Sequence, residues 1–162
     1  MLCNNQKLAK TSGTPGKTQM INHFEMVSDT EKKRKTKWYI VDLPGYGYAK
    51  ISQSERKKWG NLINDFFSTS KHIQLTIHLI DSRHKPTELD IELNDMLRSL
   101  DLPYIVLLNK SDKLKQSEFS VSKKKVIEVF PELILNENLF YFSSVKGTGN
   151  KEIKKLLSAL FY

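Results

Sequence analysis

The chain has 162 residues, of which 39% are hydrophobic and 27% charged, and this composition predicts one globular domain with a core of ordinary size. Its single cysteine, Cys3, excludes a disulfide framework and a zinc site of four cysteines, so we expect no disulfide partner and a reducing compartment. No apolar run approaches the roughly 18 residues of a membrane span, so no membrane partner is expected. The net charge of +8 is compatible both with a polyanionic partner and with an ordinary solvated basic surface.

Five segments are predicted to form strands, and most of them are nearly continuous apolar runs. Such runs are typical of strands that are covered on both faces, as in a parallel sheet. The first two segments are separated by a polar stretch and are predicted to form an antiparallel hairpin with a basic tip. The five segments are Ile21–Ser28, Lys37–Leu43, Gln74–Asp81, Tyr104–Asn109 and Asn138–Ser144.

Helical patterns lie between the later strands. A helix is predicted after Ser52, whose S-x-x-E spacing to Glu55 resembles a capping box. Thr87 can cap a second helix, which is expected to end with Leu100 on its inner face, and a weaker pattern precedes Phe130. The last helix is predicted from about Asn150. Strands that alternate with helices predict an α/β fold with a doubly wound, mostly parallel sheet in a single domain of all 162 residues.

A tight turn, Asp42-Leu43-Pro44-Gly45, follows the second strand. An aspartate at the carboxyl end of a buried strand can hold a magnesium ion through water, and a glycine lets a backbone N–H approach a terminal phosphate closely. The same D-x-P-G pattern is also common in ordinary loops. The turn is therefore a candidate phosphate site, with Asp42 as its metal residue.

The fourth strand ends in Asn109-Lys110-Ser111-Asp112, the N-K-x-D pattern that is typical of guanine recognition. An aspartate carboxylate has two acceptor oxygens and can take both the N1–H and the N2 amine of guanine, a donor pair that adenine lacks. The aliphatic part of Lys110 can lie across the base plane, and the Asn109 amide can fasten this loop to a neighbouring phosphate-binding loop. Taken alone, this short pattern also arises by chance, which leaves guanine binding open.

The fifth strand ends in Ser143-Ser144-Val145-Lys146, followed by Gly-Thr-Gly. A backbone N–H of this turn can donate to guanine O6 while Ser143 braces the loop, although a plain connection from strand to helix is the alternative. The three motifs each follow an inferred strand, where α/β sheets place their ligands. Together they predict a guanine-nucleotide site.

These motifs and their flanks resemble the EngB (YsxC/YihA) family of bacterial GTPases, and the resemblance covers most of the sequence. The combination of DLPGYGYAK with TPGKTQ is specific to that family rather than to GTPases in general. The matching stretches are AKTSGTPGKTQMIN from Ala9, WYIVDLPGYGYAKISQSERKKWG from Trp38, DSRHKPT from Asp81, NKSDKL from Asn109 and FSSVKGTG from Phe142.

The resemblance implies a GTP-binding switch that acts in assembly of the large ribosomal subunit and is linked to cell division and septation. It implies GTP as the substrate, Mg²⁺ as the cofactor and ribosomal RNA or protein as the partner. A monomer in the cytoplasm is expected, and an organellar stroma or matrix is equally compatible with the sequence.

The resemblance also assigns a switch loop, Gly16-Lys17-Thr18-Gln19-Met20, to the phosphate end of the nucleotide. Thr18 would bind the magnesium ion and sense the γ-phosphate. Asp42 would be the second metal residue, and Gly45 would contact the γ-phosphate. Leu43 and Pro44 belong to the same phosphate-facing turn.

One element of the family pattern, the loop G-x-x-x-x-G-K-[ST], does not occur in the sequence. Between Gly13 and Gly16 lie only two residues, whereas four are required to wrap the backbone around a phosphate. We therefore expect an N-terminally truncated form that lacks the first, central strand of the related fold. Weak or no GTP binding and hydrolysis are expected of the chain alone, so its enzymatic activity stays open. The alternative is a nucleotide-independent module that binds ribosomal RNA or protein through its basic surface.

Overall fold

A computed structural model of the chain describes residues 20–29, 35–44 and 53–161. These residues divide into two compact units. The first unit spans residues 70–154, and the second comprises the described residues up to Thr69 together with residues 155–161. None of the described helices combines the length and the apolar character that are needed to cross a bilayer. The expectation of one domain stays a prediction, because such units also occur within single domains.

The second unit contains the predicted antiparallel hairpin, which is confirmed. Strand β1 (Asn22–Asp29) pairs with β2 (Lys35–Asp42), with the first residue of β1 opposite the last residue of β2. Along β2, Trp38 and Ile40 are partly buried while the alternate residue Tyr39 is exposed. This alternation places Trp38 and Ile40 on the face of the hairpin opposite to Tyr39.

Helix α1 (Gln53–Thr69) confirms the helix that is predicted after Ser52. Ile63 and Phe67 are one turn apart and are both buried, so the helix has one apolar face. The capping box between Ser52 and Glu55 lies outside the part of the chain that the structure describes.

The first unit is built on a parallel sheet in the order β3 (Thr76–Asp81), β4 (Tyr104–Asn109) and β5 (Leu139–Tyr141). The central strand β4 is buried along most of its length, as its continuous apolar sequence predicts. Strand β5 is much shorter than the predicted Asn138–Ser144. The reason is a turn in which the Ser143 N–H donates to the Thr148 carbonyl instead of a neighbouring strand.

Three helices complete the described fold: α2 (Glu88–Ser99), α3 (Glu118–Ile127) and α4 (Asn150–Phe161). Thr87 forms the predicted cap of α2 as a reciprocal capping box with Asp90. Leu100 was expected on the inner face of α2, but it follows the last helical residue and is 36% exposed. The main core cluster contains Ile80, Val106, Leu108, Val126, Phe130, Leu133 and Leu139.

Candidate functional site

Polar side chains gather at the carboxyl ends of the three parallel strands. Asp81 ends β3, Asn109 ends β4, and Ser143 lies two residues beyond the end of β5. Asp81 and Asn109 are direct partners in the strand register. The motifs predicted on the fourth and fifth strands therefore meet at one edge of the sheet, where α/β folds bind their ligands.

Side-chain hydrogen bonds of Asn109 and Ser111 hold the N-K-x-D loop in place. The Asn109 side-chain oxygen accepts the Lys110 N–H at 2.8 Å, and Lys110 has left-handed backbone angles, with φ of 60°. Ser111 then starts a short 3₁₀ turn, and its buried hydroxyl donates to the Phe142 carbonyl at 2.9 Å. The loop is thereby fastened to the chain that follows β5.

Asp112 lies inside this loop, and its side chain is only 7% exposed. One carboxylate oxygen, Oδ1, accepts the Ser143 hydroxyl at 2.7 Å, and the Lys113 ammonium lies 3.7 Å from Oδ2. The hydrogen bond from Ser143 is the largest cause that holds the pKa of Asp112 below its usual value, against an opposing effect of desolvation. The group is therefore an ionised, acceptor-only carboxylate at neutral pH, as recognition of two N–H donors requires.

The turn after β5 contacts Asp112 through Ser143. Ser143 is buried, and its hydroxyl oxygen also accepts the Lys146 N–H at 3.1 Å. Ser144 and Val145 are exposed, with 80% of Val145 accessible to solvent. The Ser143 hydroxyl thus joins this turn to the N-K-x-D loop, whereas the roles of Ser143 and of a backbone N–H of this turn in binding guanine stay predictions.

Asp81 belongs to the same group of side chains, although no motif in the sequence predicts a role for it in the site. Its carboxylate accepts the Lys110 ammonium at 2.9 Å and is also bound by both the side chain and the main chain of Arg83. The signal in the sequence is its position at the end of a predicted strand.

The residues predicted for the phosphate end lie in the second unit or outside the described residues. Asp42 is exposed at the end of β2, Leu43 is partly buried and Pro44 is buried. Met20 is 73% exposed. Five predicted residues lie outside the described part of the chain: Gly16, Lys17, Thr18, Gln19 and Gly45. The metal pair of Thr18 and Asp42 therefore stays a prediction.

Asp42 is the member of the predicted metal pair that the structure describes, and its carboxylate has the chemistry for magnesium that is bound together with a nucleotide. Within residues 20–29, 35–44 and 53–161, no three His, Cys, Asp or Glu side chains form a group that could hold a metal ion. Magnesium is commonly held by one or two carboxylates together with phosphate oxygens and water. The single exposed carboxylate of Asp42 suits that arrangement and would not hold a metal ion unaided.

Comparison with known sequences gives consistent similarities over nearly the whole chain. A family model described as "50S ribosome-binding GTPase" matches residues 1–110. A probable GTP-binding protein EngB of Clostridium botulinum (strain Eklund 17B / Type B) is 41% identical over 152 residues, which are 94% of this chain and 72% of the relative. The corresponding protein of Clostridium acetobutylicum is 38% identical over 162 residues, 99% of this chain and 76% of the relative.

Solved structures confirm the α/β fold of P-loop GTPases. The crystal structure of a probable GTP-binding protein engB superposes with a TM-score of 0.68 at 20% identity, covering 88% of this chain and 83% of the other. Era in complex with MgGDPNP and nucleotides 1506–1542 of 16S ribosomal RNA gives a TM-score of 0.69 at 20% identity, covering 96% of this chain and 49% of the other.

Proposed function

Because this chain belongs to the EngB family of GTP-binding proteins, we propose that it is a GTP-dependent switch in the assembly of the large ribosomal subunit. Its cellular effect would include the support of cell division and septation, and its location would be the cytoplasm. In this proposal, GTP hydrolysis returns the protein from its ribosome-bound form to its free form.

The observation that carries the proposal is the ionised Asp112 carboxylate, held by Ser143 at the edge of a parallel sheet. Its two oxygens would accept the N1–H and the N2 amine of guanine, and the exposed turn at Ser144 and Val145 would present backbone N–H groups to O6. Lys110 would cover one face of the ring with its aliphatic chain. An adenine ring would leave the carboxylate without these donors, which gives the specificity for guanine.

The phosphate end is assigned to the D-x-P-G turn and to the switch loop. Asp42 would hold a water molecule of the magnesium shell, Thr18 would bind the ion directly, and the Gly45 N–H would donate to the γ-phosphate. Gly16, Lys17, Gln19 and Met20 would line the loop around these groups, next to Leu43 and Pro44. When bound, the magnesium ion neutralises charge on the phosphate oxygens.

The ribosomal partner is supported by the family description and by the charge of the chain. Era, a structural relative, was solved with ribosomal RNA. This chain carries a net charge of +8, and exposed lysines such as Lys113, Lys115 and Lys124 lie between the N-K-x-D loop and the middle of α3. Exposed lysines of this kind neutralise RNA phosphates. The protein would act as a monomer.

The test is co-sedimentation of the chain with purified large ribosomal subunits at millimolar GDPNP, GDP or no nucleotide. Millimolar nucleotide is needed because the sequence has no G-x-x-x-x-G-K-[ST] loop, so its affinity is expected to be weak. We expect GDPNP to raise the bound fraction by at least about fivefold over GDP. Equal binding in all three conditions, with a steep fall between low and moderate salt, would instead support the nucleotide-independent module.

A further inference from the structure

The carboxylate of Asp81 is bound by two cationic side chains at the end of β3. Oδ1 accepts the Arg83 Nε–H at 2.9 Å and the Arg83 main-chain N–H at 3.1 Å. Oδ2 accepts an Arg83 terminal N–H at 2.7 Å and the Lys110 ammonium at 2.9 Å. Hydrogen bonding by Arg83 is the largest cause that holds the pKa of Asp81 far below its usual value, so the group stays ionised.

Lys110 is consequently fixed at both ends. Its backbone is set in the left-handed region by the turn that begins at Asn109, whose side chain accepts the Lys110 N–H. Its ammonium is tied to Asp81 on the adjacent strand, although the side chain is 52% exposed. An exposed lysine chain that is free at its tip samples many rotamers, whereas the ammonium of this one is held by the Asp81 carboxylate.

We propose that Asp81, itself fixed by Arg83, is a positioning residue that holds the aliphatic chain of Lys110 ready to cover the guanine ring. The inference rests on the proposed function, since it concerns the same nucleotide site. It adds the end of β3 to the set of elements that determine nucleotide affinity. Asp81 does not contact the base in this account and acts only through Lys110.

The physical reason is preorganisation of the lysine chain. Ordering a long side chain on binding lowers affinity, and the loss is smaller when the chain is already ordered in the free protein. Arg83 contributes because its planar guanidinium binds Asp81 through two parallel hydrogen bonds and fixes the carboxylate plane. Asparagine at position 81 would lack the negative charge that attracts both cations.

The first experiment compares the wild-type chain with Asp81→Asn by ligand-observed NMR titration. The probe is guanosine 5′-monophosphate, because a mononucleotide reports mainly on contacts with the base. We expect Asp81→Asn to weaken binding by about two- to tenfold, the loss that corresponds to ordering one long side chain. The matched control is Asp95→Asn, which removes the same charge from an exposed position on α2 and should leave the affinity unchanged.

The second experiment separates positioning from general support of the loop. Lys110→Met keeps a long aliphatic chain but removes the ammonium, so it should lose about as much affinity as Asp81→Asn. Adding Asp81→Asn to Lys110→Met should then cause no further loss, because both changes remove the same tie. A further loss in the double variant would show a merely structural role for Asp81. Lys110→Met alone remains decisive should Asp81→Asn fail to fold.

The outcomes separate this inference from the proposed function. A wild-type chain that binds guanosine monophosphate no more tightly than adenosine monophosphate, or that binds neither, would overturn the proposed base recognition itself. A wild-type chain that prefers guanosine monophosphate, with Asp81→Asn and Lys110→Met both binding as tightly, would overturn the role of Asp81 alone.

Discussion

Gly149 lies in the turn that carries Ser143, and its backbone conformation is one that other residues rarely adopt. Its φ is +77°, and a Cβ at this position would overlap the main-chain carbonyl oxygen of Tyr141 at the end of β5. Gly147 has a similar φ of +73°, but its Cβ would meet only the tip of the Asn150 side chain, at 3.3 Å. Gly147→Ala therefore reports mainly the strain of a left-handed backbone, whereas Gly149→Ala reports the same strain together with the overlap with the Tyr141 carbonyl.

The expected losses of stability differ accordingly. A left-handed conformation costs a residue with a Cβ about 1–2 kcal/mol. The smaller entropy of the unfolded chain offsets about 0.4–1 kcal/mol of this cost, so Gly147→Ala should lose about 0–1.6 kcal/mol, with a middle value of about 0.8 kcal/mol. Gly149→Ala adds an overlap with backbone that cannot rotate away, and overpacking of this kind costs about 1–3 kcal/mol more.

Urea denaturation followed by circular dichroism gives the free energy of unfolding of both variants and of the wild type. Gly60→Ala is a useful control, because nothing lies within 4 Å of the added Cβ inside α1 and the helix should gain about 1 kcal/mol. Equal losses in Gly147→Ala and Gly149→Ala would refute the close approach between the turn and β5.

Three further changes test the cap of α2, the polar cluster near β4 and the support of Asp112. Thr87→Ala should destabilise the protein by about 1 kcal/mol in thermal denaturation while Thr87→Ser keeps the cap, and equal melting of the two variants would contradict the capping box. Burial and then the hydrogen bond to Glu132 raise the pKa of Tyr104 from its usual value of 10.0 to about 12. The stabilising effect of the protonated Tyr104 should therefore be complete below pH 10 and be lost as the pH rises toward 12. The difference in unfolding free energy between wild type and Tyr104→Phe should therefore shrink across that window, and a constant difference would count against it. Ser143→Ala should raise the pKa of Asp112, measured by carbonyl ¹³C NMR, because the lost hydrogen bond is the main cause of the low value, and an unmoved pKa would disprove that cause.

The periodic parts of the fold could be predicted from the sequence because their patterns are long and local. The strand at Tyr104–Asn109 is a continuous apolar run, and its predicted bounds agree with β4. Strand β5 was predicted too long, because Phe142 and the serines after it read as strand residues. The Phe142 N–H still donates to the Leu108 carbonyl of β4, but the Ser143 N–H donates to the Thr148 carbonyl, in a turn that contains the left-handed Gly147 and Gly149.

The parts of the candidate site that consist of a few consecutive residues could be predicted from the sequence. Asp112 is predicted to contact the base and Ser143 to brace its loop, and the Ser143 hydroxyl donates to the Asp112 carboxylate at 2.7 Å. The contact with the base stays a prediction. The contact of Asp81 with the site could not be predicted from a short motif. Its contact with Lys110 depends on the register between β3 and β4 and on one left-handed residue, which no short pattern contains.

Membership of the EngB family is confirmed, whereas the N-terminal truncation and the loss of the central strand stay predictions. The chain covers 72% of the Clostridium botulinum relative and 76% of the Clostridium acetobutylicum relative. The two described sheets are an antiparallel pair and a parallel set of three strands.

The base preference of Asp112→Asn tests recognition of guanine by this carboxylate most directly. Xanthine carries a carbonyl oxygen where guanine carries its N2 amine, so the amide of asparagine could donate to xanthine but would lose both charge-assisted bonds to guanine. Titration of each protein with guanosine and xanthosine monophosphates should show the wild type preferring guanosine and the variant preferring xanthosine, with a change of at least about tenfold in the ratio of affinities. An Asp112→Asn protein that still selects guanosine monophosphate as the wild type does would contradict the assignment of position 112 to the base.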